Sequence, residues 1–281
     1  MIAVILLLHR VRLVDQILDS EYCSVAVTRN EGRSIITHFI KRILQVLPSS
    51  HSFSPRNVIA GWELLGLQPI IHVGAYEDAQ EVLATLLVQL LLKVPRSNAD
   101  KIFTKFQGQL ICRKTRDCQA VELADDFVGQ SDISPCMHVV GIQNDGSNPV
   151  RIKEKLQQFC SSNFESRCKS IMCKKKVRGA TIQISPCRFT IIGINRNNNQ
   201  GKVMNKLDLS PHSEEINSIT KEPVAVISHG GSVQSGHYIV YTKVGDIWYV
   251  NNDNQKVTAT NSPFDQSNIA GETADIIVFQ N

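Results

Sequence analysis

One stretch near the carboxyl end of the chain constrains the fold most, because it predicts a β-hairpin with polar residues at defined positions. An apolar run at residues 224–227 leads into a glycine-rich loop, and the chain leaves that loop at His237. The residues that follow, through Tyr241, are mostly β-branched or aromatic, which favours a strand. A turn at residues 245–246 comes next, and a second strand begins at Trp248. The stretch therefore predicts two antiparallel strands joined by a tight turn.

The pairing of these two strands predicts a meeting of polar side chains. In an antiparallel pair, the end of the second strand lies beside the start of the first. We therefore expect His237 to lie close to the cluster that ends the hairpin, which contains Asn252 and Asp253. A histidine held by an amide or carboxylate oxygen is the usual arrangement of a general base and its orienting partner.

The whole hairpin resembles the histidine box of the ubiquitin-specific protease family. That box contains Gly-His-Tyr, found here at residues 236–238, then a strand, a Trp (Trp248) and Asn/Asp-Asp. The resemblance implies that His237 is the catalytic histidine and that Asn252 is the third member of the triad. It also implies that Asp253 is the adjacent acid of the box.

A second stretch resembles the same family and implies where ubiquitin binds. Residues 75–92 predict a strongly apolar helix with Asp78 and Glu81 near its start, where the helix dipole favours carboxylates. Helix capping alone would explain this pattern. The stretch also resembles the family's Gln-Gln-Asp-Ala-x-Glu-Phe-Leu box, whose acids face the basic carboxyl-terminal tail of ubiquitin. The resemblance implies that Asp78 and Glu81, together with Gly236 and Tyr238 of the hairpin, bind this tail.

The start of the chain bears on the catalytic nucleophile. Apolar residues recur at helical spacing over residues 2–19 and predict an amphipathic helix. This start resembles the part of the family's first box that follows its nucleophilic cysteine, so the resemblance implies a cysteine two residues before Met1, outside this chain. A thiol at a helix amino terminus is stabilised as the thiolate. Cys23 follows the predicted helix, so we expect it to be a structural or solvent-exposed thiol.

The cysteine spacing bears on a structural metal. Residues 106–110 resemble the strand that opens the fingers region of the family, where two Cys-x-x-Cys pairs often bind zinc. Here Cys112 and Cys118 enclose five residues, and Cys168 and Cys173 enclose four. These spacings predict a degenerate or lost zinc site, with Cys118, Cys168 and Cys173 as its remaining candidate ligands. The implied reaction requires no cofactor.

Composition and charge limit the kinds of partner and the cell compartment that we expect for this protein. The net charge of +4 is too mild to indicate a nucleic-acid partner. The apolar run at residues 2–8 is too short to span a membrane and is not followed by a cleavage site. Eight cysteines that are not evenly paired in sequence, with no secretory signal, predict reduced thiols and an intracellular protein of the cytoplasm or nucleus.

These features together predict one α+β domain over residues 1–281 with the papain-like fold of ubiquitin-specific proteases. We expect a helical thumb part over residues 1–100, and an antiparallel-sheet palm with a fingers extension over residues 101–281. The resemblance implies a deubiquitinase that cleaves the isopeptide bond after the terminal Gly-Gly of ubiquitin, with ubiquitin or ubiquitin-conjugated proteins as partners. Two alternatives remain: an inactive pseudo-protease that binds ubiquitin, and a papain-like peptidase that acts on another ubiquitin-like modifier.

Overall fold

The structure is a computed structural model, and it describes only part of the chain. The described residues are 4, 7, 78–91, 106–111, 121–124, 137–142, 149–155, 165–167, 176–178, 180–184, 188–198, 201–208, 214–216, 219–232, 234–252, 257–265 and 273–280.

Most of the described residues belong to β-strands, and one long helix packs against them. The helix, α1, spans Ala79–Leu91. The strands are β1 (Phe106–Ile111), β2 (Val121–Ala124), β3 (Met137–Gly141), β4 (Val150–Arg151), β5 (Glu165–Arg167), β6 (Lys176–Arg178), β7 (Ala180–Ile184), β8 (Phe189–Asn195), β9 (Asn197–Asn198), β10 (Gly201–Lys202), β11 (Leu207–Asp208), β12 (Glu214–Ile216), β13 (Ile219–Gly231), β14 (Gly236–Val244), β15 (Ile247–Asn251), β16 (Thr258–Thr260) and β17 (Ala274–Gln280).

An eight-stranded sheet, which we call the palm sheet, organises the described residues. Its order is β16-β15-β14-β13-β17-β8-β3, and β12 pairs with the outer part of β13. All neighbours are antiparallel except β3 and β8, which run parallel. A separate antiparallel sheet has the order β2-β1-β7 and starts at Phe106, where the fingers are expected. Sheets and a packed helix together confirm the predicted α+β fold class.

The core lies around the centre of the palm sheet. Strands β8 and β17 are nearly continuous apolar runs, the pattern of strands that are covered on both faces. Helix α1 lies against β17 and buries the apolar side chains of its own inward face. Near the β15 edge, the Trp248 ring meets the Phe264 ring edge-to-face at 6.2 Å between centroids. This core fixes the relative position of α1 and the palm strands.

The predicted hairpin is confirmed, with one correction. Strands β14 and β15 pair antiparallel around the turn at Gly245, whose φ of 58° is the left-handed conformation that a tight two-residue turn requires. The glycine-rich loop that the sequence predicts between residue 227 and His237 is shorter than expected. Strand β13 continues through Gly231, which pairs with Gly236, so only the residues between them form the loop. Pairing with β14 outweighs the low strand propensity of these glycines.

The predicted helices are confirmed at the positions that the structure describes. Helix α1 begins at Ala79, while residues 75–77 of the predicted segment lie outside the described residues. Val4 and Leu7, from the predicted helix at residues 2–19, are helical and completely buried. The rest of that segment lies outside the described residues, as does Cys23, which follows it. In the part of the chain that the structure describes, no helix has the length and apolar character needed to cross a membrane.

Candidate active site

His237 and Asn252 meet, as the hairpin predicts. His237 is the second residue of β14, and Asn252 directly follows the last residue of β15. The His237 Nε2 atom lies 2.6 Å from the Asn252 Oδ1 atom. An amide oxygen is a pure acceptor, so His237 donates from Nε2 in this hydrogen bond. The other ring nitrogen, Nδ1, is then the one that can accept a proton from a nucleophile.

The amino terminus of α1 carries the two predicted tail-binding acids. The Asp78 Oδ1 atom accepts hydrogen bonds from the backbone amides of Gln80 (2.6 Å) and Glu81 (3.3 Å). Asp78 is therefore the N-cap of the helix. The side chains of Asp78 and Glu81 are both exposed. Capping and substrate binding are compatible roles, because the cap engages one of the two carboxylate oxygens.

Tyr238 connects this helix terminus to the hairpin. Its hydroxyl oxygen accepts a hydrogen bond from the backbone amide of Ala79 at 3.3 Å. Burial, with a further contribution from the charge of Asp275, raises the pKa of the Tyr238 phenol, so the hydroxyl stays protonated at neutral pH. Tyr238 thus lies next to the start of α1, where Asp78 is located, and His237 follows Gly236 directly along β14.

The side chain of His229 packs against that of Tyr238. The two rings stack with centroids 4.4 Å apart and an interplanar angle of 19°. Lys202 Nζ donates to the backbone carbonyl of His229 and lies 3.1 Å from its Nδ1 atom. Burial, followed by the charge of Lys202, lowers the pKa of His229. His229 is therefore neutral at pH 7, with Nδ1 as an acceptor and the proton on Nε2.

Gly236 lies so close to the His229 ring that no side chain fits there. A Cβ atom at position 236 would lie 2.1 Å from the His229 Nε2 atom and 2.3 Å from the Gly230 carbonyl oxygen. Packing of β13 against β14 alone therefore requires a glycine here, and the role of Gly236 in tail binding stays a prediction. The glycine lets β14 approach β13 closely and leaves the start of the strand open to solvent.

Gln80 links α1 to the palm sheet through hydrogen bonds that the sequence does not predict. Its Nε2 atom donates to the carbonyl oxygens of Ile194 (3.2 Å) and Asp275 (3.1 Å), and to Asp275 Oδ1 (3.1 Å). The register of β17 against β13 shifts here: Ile276 pairs with Ile227, but Ala274 pairs with Ser228. Asp275 is therefore the extra residue of a β-bulge, a device that re-aims side chains near functional sites.

Asp275 is a second carboxyl group at this helix terminus. Burial, with a further contribution from the charge of Asp78, raises the pKa of Asp275 to about 7. The Gln80 hydrogen bond, then Lys202 and Arg196, act in the opposite direction. The sequence offers one signal for this residue, a lone charge in the apolar strand Ala274–Gln280. That signal identifies neither the bulge nor the partners of the carboxyl group.

Comparison with known protein families assigns this chain to one of them. The family model described as ubiquitin carboxyl-terminal hydrolase matches residues 3–279. The chain belongs to the ubiquitin carboxyl-terminal hydrolase family. No curated protein matches the chain by sequence.

Solved structures of this family share the fold. One is the SAGA Ubp8/Sgf11/Sus1/Sgf73 DUB module bound to ubiquitin aldehyde, with 15% sequence identity and a TM-score of 0.62. That match covers 100% of this chain and 66% of the other. Another is the same module with a Ubp8 variant bound to monoubiquitin, with 14% identity and a TM-score of 0.58. It covers 95% of this chain and 65% of the other, so the chain spans about two thirds of these hydrolase chains.

Several residues predicted from the hydrolase family resemblance cannot be placed. Asp253, the predicted acid next to Asn252, lies outside the described residues. The candidate zinc ligands Cys118, Cys168 and Cys173 do as well, and all eight cysteines of the chain lie in undescribed segments. Within the described ranges, no group of three or more His, Cys, Asp or Glu residues is placed to hold a metal ion.

Proposed function

We propose that this chain is a deubiquitinase domain that hydrolyses the bond after the carboxyl-terminal Gly-Gly of ubiquitin. The observation that carries the proposal is the hydrogen bond of 2.6 Å between His237 and Asn252, beside a cleft formed with the amino terminus of α1. Membership of the ubiquitin carboxyl-terminal hydrolase family supports the same reaction. The two neighbouring structures hold ubiquitin or ubiquitin aldehyde, which supports ubiquitin as the ligand.

The mechanism assigns His237 the role of general base and general acid. In the proposed reaction, His237 Nδ1 takes the proton of a cysteine thiol, and the thiolate attacks the carbonyl carbon of the terminal glycine. The imidazolium then returns the proton to the departing amine, which leaves a thioester. Water, deprotonated by the same histidine, hydrolyses the thioester and regenerates the thiol. Asn252 holds the Nε2–H tautomer throughout, as in Cys-His-Asn peptidases.

In this proposal an extended, glycine-rich tail lies along the surface between the start of α1 and the start of β14. Asp78 and Glu81 present exposed carboxylates at the start of α1, and the Tyr238 hydroxyl contacts the same helix terminus through the backbone amide of Ala79. Gly236 is exposed and adds no side chain next to His237. Two consecutive glycines at the scissile end of the substrate add no side chains either, which is consistent with binding close to this backbone.

A second candidate function is ubiquitin binding without hydrolysis. The irregular spacing of the candidate zinc cysteines favours it, as do the replaced residues of the acid box, where Tyr76 and Glu77 stand in place of the two glutamines common in the family. The tail-binding cleft depends on Asp78, His229 and Tyr238, and none of these contacts requires a nucleophile. Such a domain would hold ubiquitin conjugates and leave them intact. A tail with similar chemistry on another ubiquitin-like modifier would fit the same cleft.

A reactive ubiquitin separates these functions. We expect ubiquitin with a thiol-reactive group at its carboxyl terminus to form an adduct with a protein that includes the cysteine that the family resemblance implies two residues before Met1, and mass spectrometry of the peptides to identify the modified cysteine. The chain that begins at Met1 should form no adduct, on Cys23 or elsewhere. His237→Ala should slow adduct formation and reduce hydrolysis of a ubiquitin carboxyl-terminal amide by about 10²-fold or more. Asn252→Asp, which keeps an oxygen acceptor, is the matched control. Binding of ubiquitin without an adduct supports the second function, and absence of binding contradicts both.

The zinc proposal needs its own measurement. We propose that any structural zinc is held by Cys118, Cys168 and Cys173, and that the hydrolysis itself uses no cofactor. Metal analysis of the purified chain should give substoichiometric zinc, in line with the irregular spacing of these cysteines. One zinc per chain that is lost in Cys168→Ser would show an intact site and contradict the expectation of a degenerate one.

A further inference from the structure

The ring of His229 contacts the strand residues on both sides of His237. In the pairing of β13 with β14, His229 lies opposite Tyr238, and Gly230 lies opposite His237. The Tyr238 ring stacks on the His229 ring, and the backbone of Gly236 lies against the Nε2 edge of the same ring. The position of this ring therefore sets the path of the β14 backbone immediately before and after His237.

Lys202, on β10 outside the palm sheet, contacts both the main chain and the ring of His229. Its Nζ atom donates a hydrogen bond to the His229 carbonyl oxygen and lies 3.1 Å from the Nδ1 atom. An ammonium group cannot accept a hydrogen bond, so Nδ1 is the acceptor and the ring proton is on Nε2. If the ring turned over about its bond to Cβ, a C–H group would face the ammonium and this contact would be lost. One cation thus selects one ring orientation and one tautomer.

The surroundings of Lys202 indicate that its contact with His229 is more than a surface ion pair. Burial lowers the pKa of Lys202, the charge of Asp275 opposes this shift, and the charge of Arg196 adds to it. Among the described residues, both hydrogen-bond contacts of the Lys202 Nζ atom are made to His229. The free-energy cost of burying this cation is therefore offset at a neutral residue, and the main effect of Lys202 is on the orientation of His229.

We propose that Lys202 is a positioning residue of the active site, which holds the His229 ring so that residues 236–238 present His237 to Asn252. The proposal rests on the proposed function, because it assigns Lys202 an effect on the reaction of His237. Lys202 acts through His229 and touches no reacting atom in this account. A purely structural link between β10 and β13 would use the same contacts, so the decisive measurements are made on His237 and not on stability alone.

Nuclear magnetic resonance of the chain with isotope-labelled histidine tests the positioning directly. In the unaltered chain at pH 7 we expect His229 to carry its proton on Nε2, and His237 to show a slowly exchanging Nε2–H signal from its hydrogen bond to Asn252. In Lys202→Met, which keeps an apolar stem but removes the donor and the charge, the His237 signal should broaden or disappear. The pKa of His229 should rise, because burial still lowers it but the charge of Lys202 no longer does, while Asp78 still raises it.

Two further variants separate positioning from the loss of any lysine. Lys202→Arg keeps a cationic donor and should restore the His237 signal at least in part. Lys243→Met removes a lysine from the same strand pair, where it forms an ion pair of 3.1 Å with Glu222. This change lies at the far end of β14 and should leave the signals of His237 and His229 unchanged.

Hydrolysis of a ubiquitin carboxyl-terminal amide shows whether the positioning matters for the reaction. In a protein that includes the cysteine implied before Met1, Lys202→Met should lower kcat by about tenfold or more, because small displacements of a catalytic group have effects of this size. KM should change much less than kcat, since the exposed carboxylates of α1 that are proposed to contact the tail remain in place. Lys202→Arg should recover most of the lost kcat, and Lys243→Met should keep the kcat of the unaltered protein.

The outcomes distinguish the inference from the proposed function. A His229 proton on Nδ1 in the unaltered chain contradicts the inference, and this measurement remains valid if Lys202→Met does not fold. An unchanged His237 signal or an unchanged kcat in folded Lys202→Met also contradicts it and leaves Lys202 as a structural link. Equal losses in Lys202→Met and Lys243→Met contradict it as well. No hydrolysis by the unaltered protein that includes the upstream cysteine contradicts the proposed function, while the His237 signal still tests the inference.

Discussion

The side chain of His229 lies between a ring and a glycine, and this packing shapes the approach to His237. Tyr238 stacks on one part of the ring, and Gly236 leaves no room for a Cβ atom beside Nε2. The opposing contact is backbone, the Gly230 carbonyl, so only part of a clash could be relieved by rotation of the histidine. The packing of His229 at this site therefore requires that residue 236 has no side chain.

We predict that Gly236→Ala displaces His229 or separates β13 from β14. Inserting a methyl group into a filled space costs on the order of 1–3 kcal/mol in the free energy of unfolding. Thermal unfolding should show the lower stability, and ubiquitin affinity should fall. Gly141→Ala is the control, because a Cβ atom there meets nothing within 4 Å. Equal stability and affinity of the two variants would contradict the steric account.

Individual site residues differ in how well the sequence predicts them. His237 and Asn252 are predictable, because their contact follows from a local hairpin and from a recognisable motif. Asp275 is not, since its position depends on a bulge in the pairing of two strands that are distant in sequence. Gln80 is missed for a related reason: its three acceptors lie on β8 and β17, far along the chain.

Asp78 at the start of α1 has a structural role and a proposed binding role. It accepts two amide hydrogen bonds as the helix cap, and its exposed charge is the proposed contact for the tail of ubiquitin. These roles separate by substitution, because Asn keeps the accepting oxygen and the capping preference of Asp but removes the charge.

We predict that Asp78→Ala lowers the free energy of unfolding by about 1 kcal/mol, the usual cost of losing an N-cap. Asp78→Asn should keep the stability of the unaltered chain. Both variants should bind ubiquitin more weakly, as measured by titration calorimetry, because both lack the negative charge. Undiminished ubiquitin affinity in Asp78→Asn would show that the charge does not read the tail.

The Asp275 carboxyl group on strand β17 makes the stability of the folded protein depend on pH. The pKa of Asp275 is about 7 in the folded protein, against an ordinary value of 3.8. The folded state therefore holds this proton more tightly than the unfolded chain does. Stability from this group is full below about pH 4, falls as the pH rises, and is lost by about pH 7.

We predict that Asp275→Asn raises the Tm relative to the unaltered chain, and that the gain grows between pH 4 and pH 7. At pH 8 the gain should be on the order of 5 °C, as expected for a few kcal/mol in a chain of this size. Asp246→Asn at the exposed turn should show no such trend. A gain that is constant with pH would contradict the raised pKa.

The sequence pattern predicts which segments form strands better than it predicts where each strand ends. The hairpin strands are anticipated from apolar, β-branched residues, and the strand beginning at Phe106 is anticipated from its resemblance to the strand that opens the fingers region of the family. The end of β13 is not, because local propensity of Gly230 and Gly231 favours a loop, while pairing with β14 extends the strand to Gly231. Tertiary pairing decides such boundaries.

At the scale of the whole molecule, distant parts of the chain meet where the start of α1 contacts the hairpin. The family model matches residues 3–279, and the α+β architecture is confirmed by the palm sheet and α1. Both follow from motifs that occur in family order along the chain. The degenerate zinc site that the cysteine spacing predicts stays a prediction, because all of its candidate ligands lie outside the described residues.

The central claim is that the cleft between α1 and the hairpin binds the carboxyl-terminal tail of ubiquitin. The most direct test compares the affinity of the unaltered chain for intact ubiquitin and for ubiquitin that lacks this tail. We predict at least about tenfold weaker binding of the shortened ubiquitin, which corresponds to about 1.4 kcal/mol. The chain with Asp78→Arg should bind both forms equally weakly. Equal affinity of the unaltered chain for both forms would contradict the account.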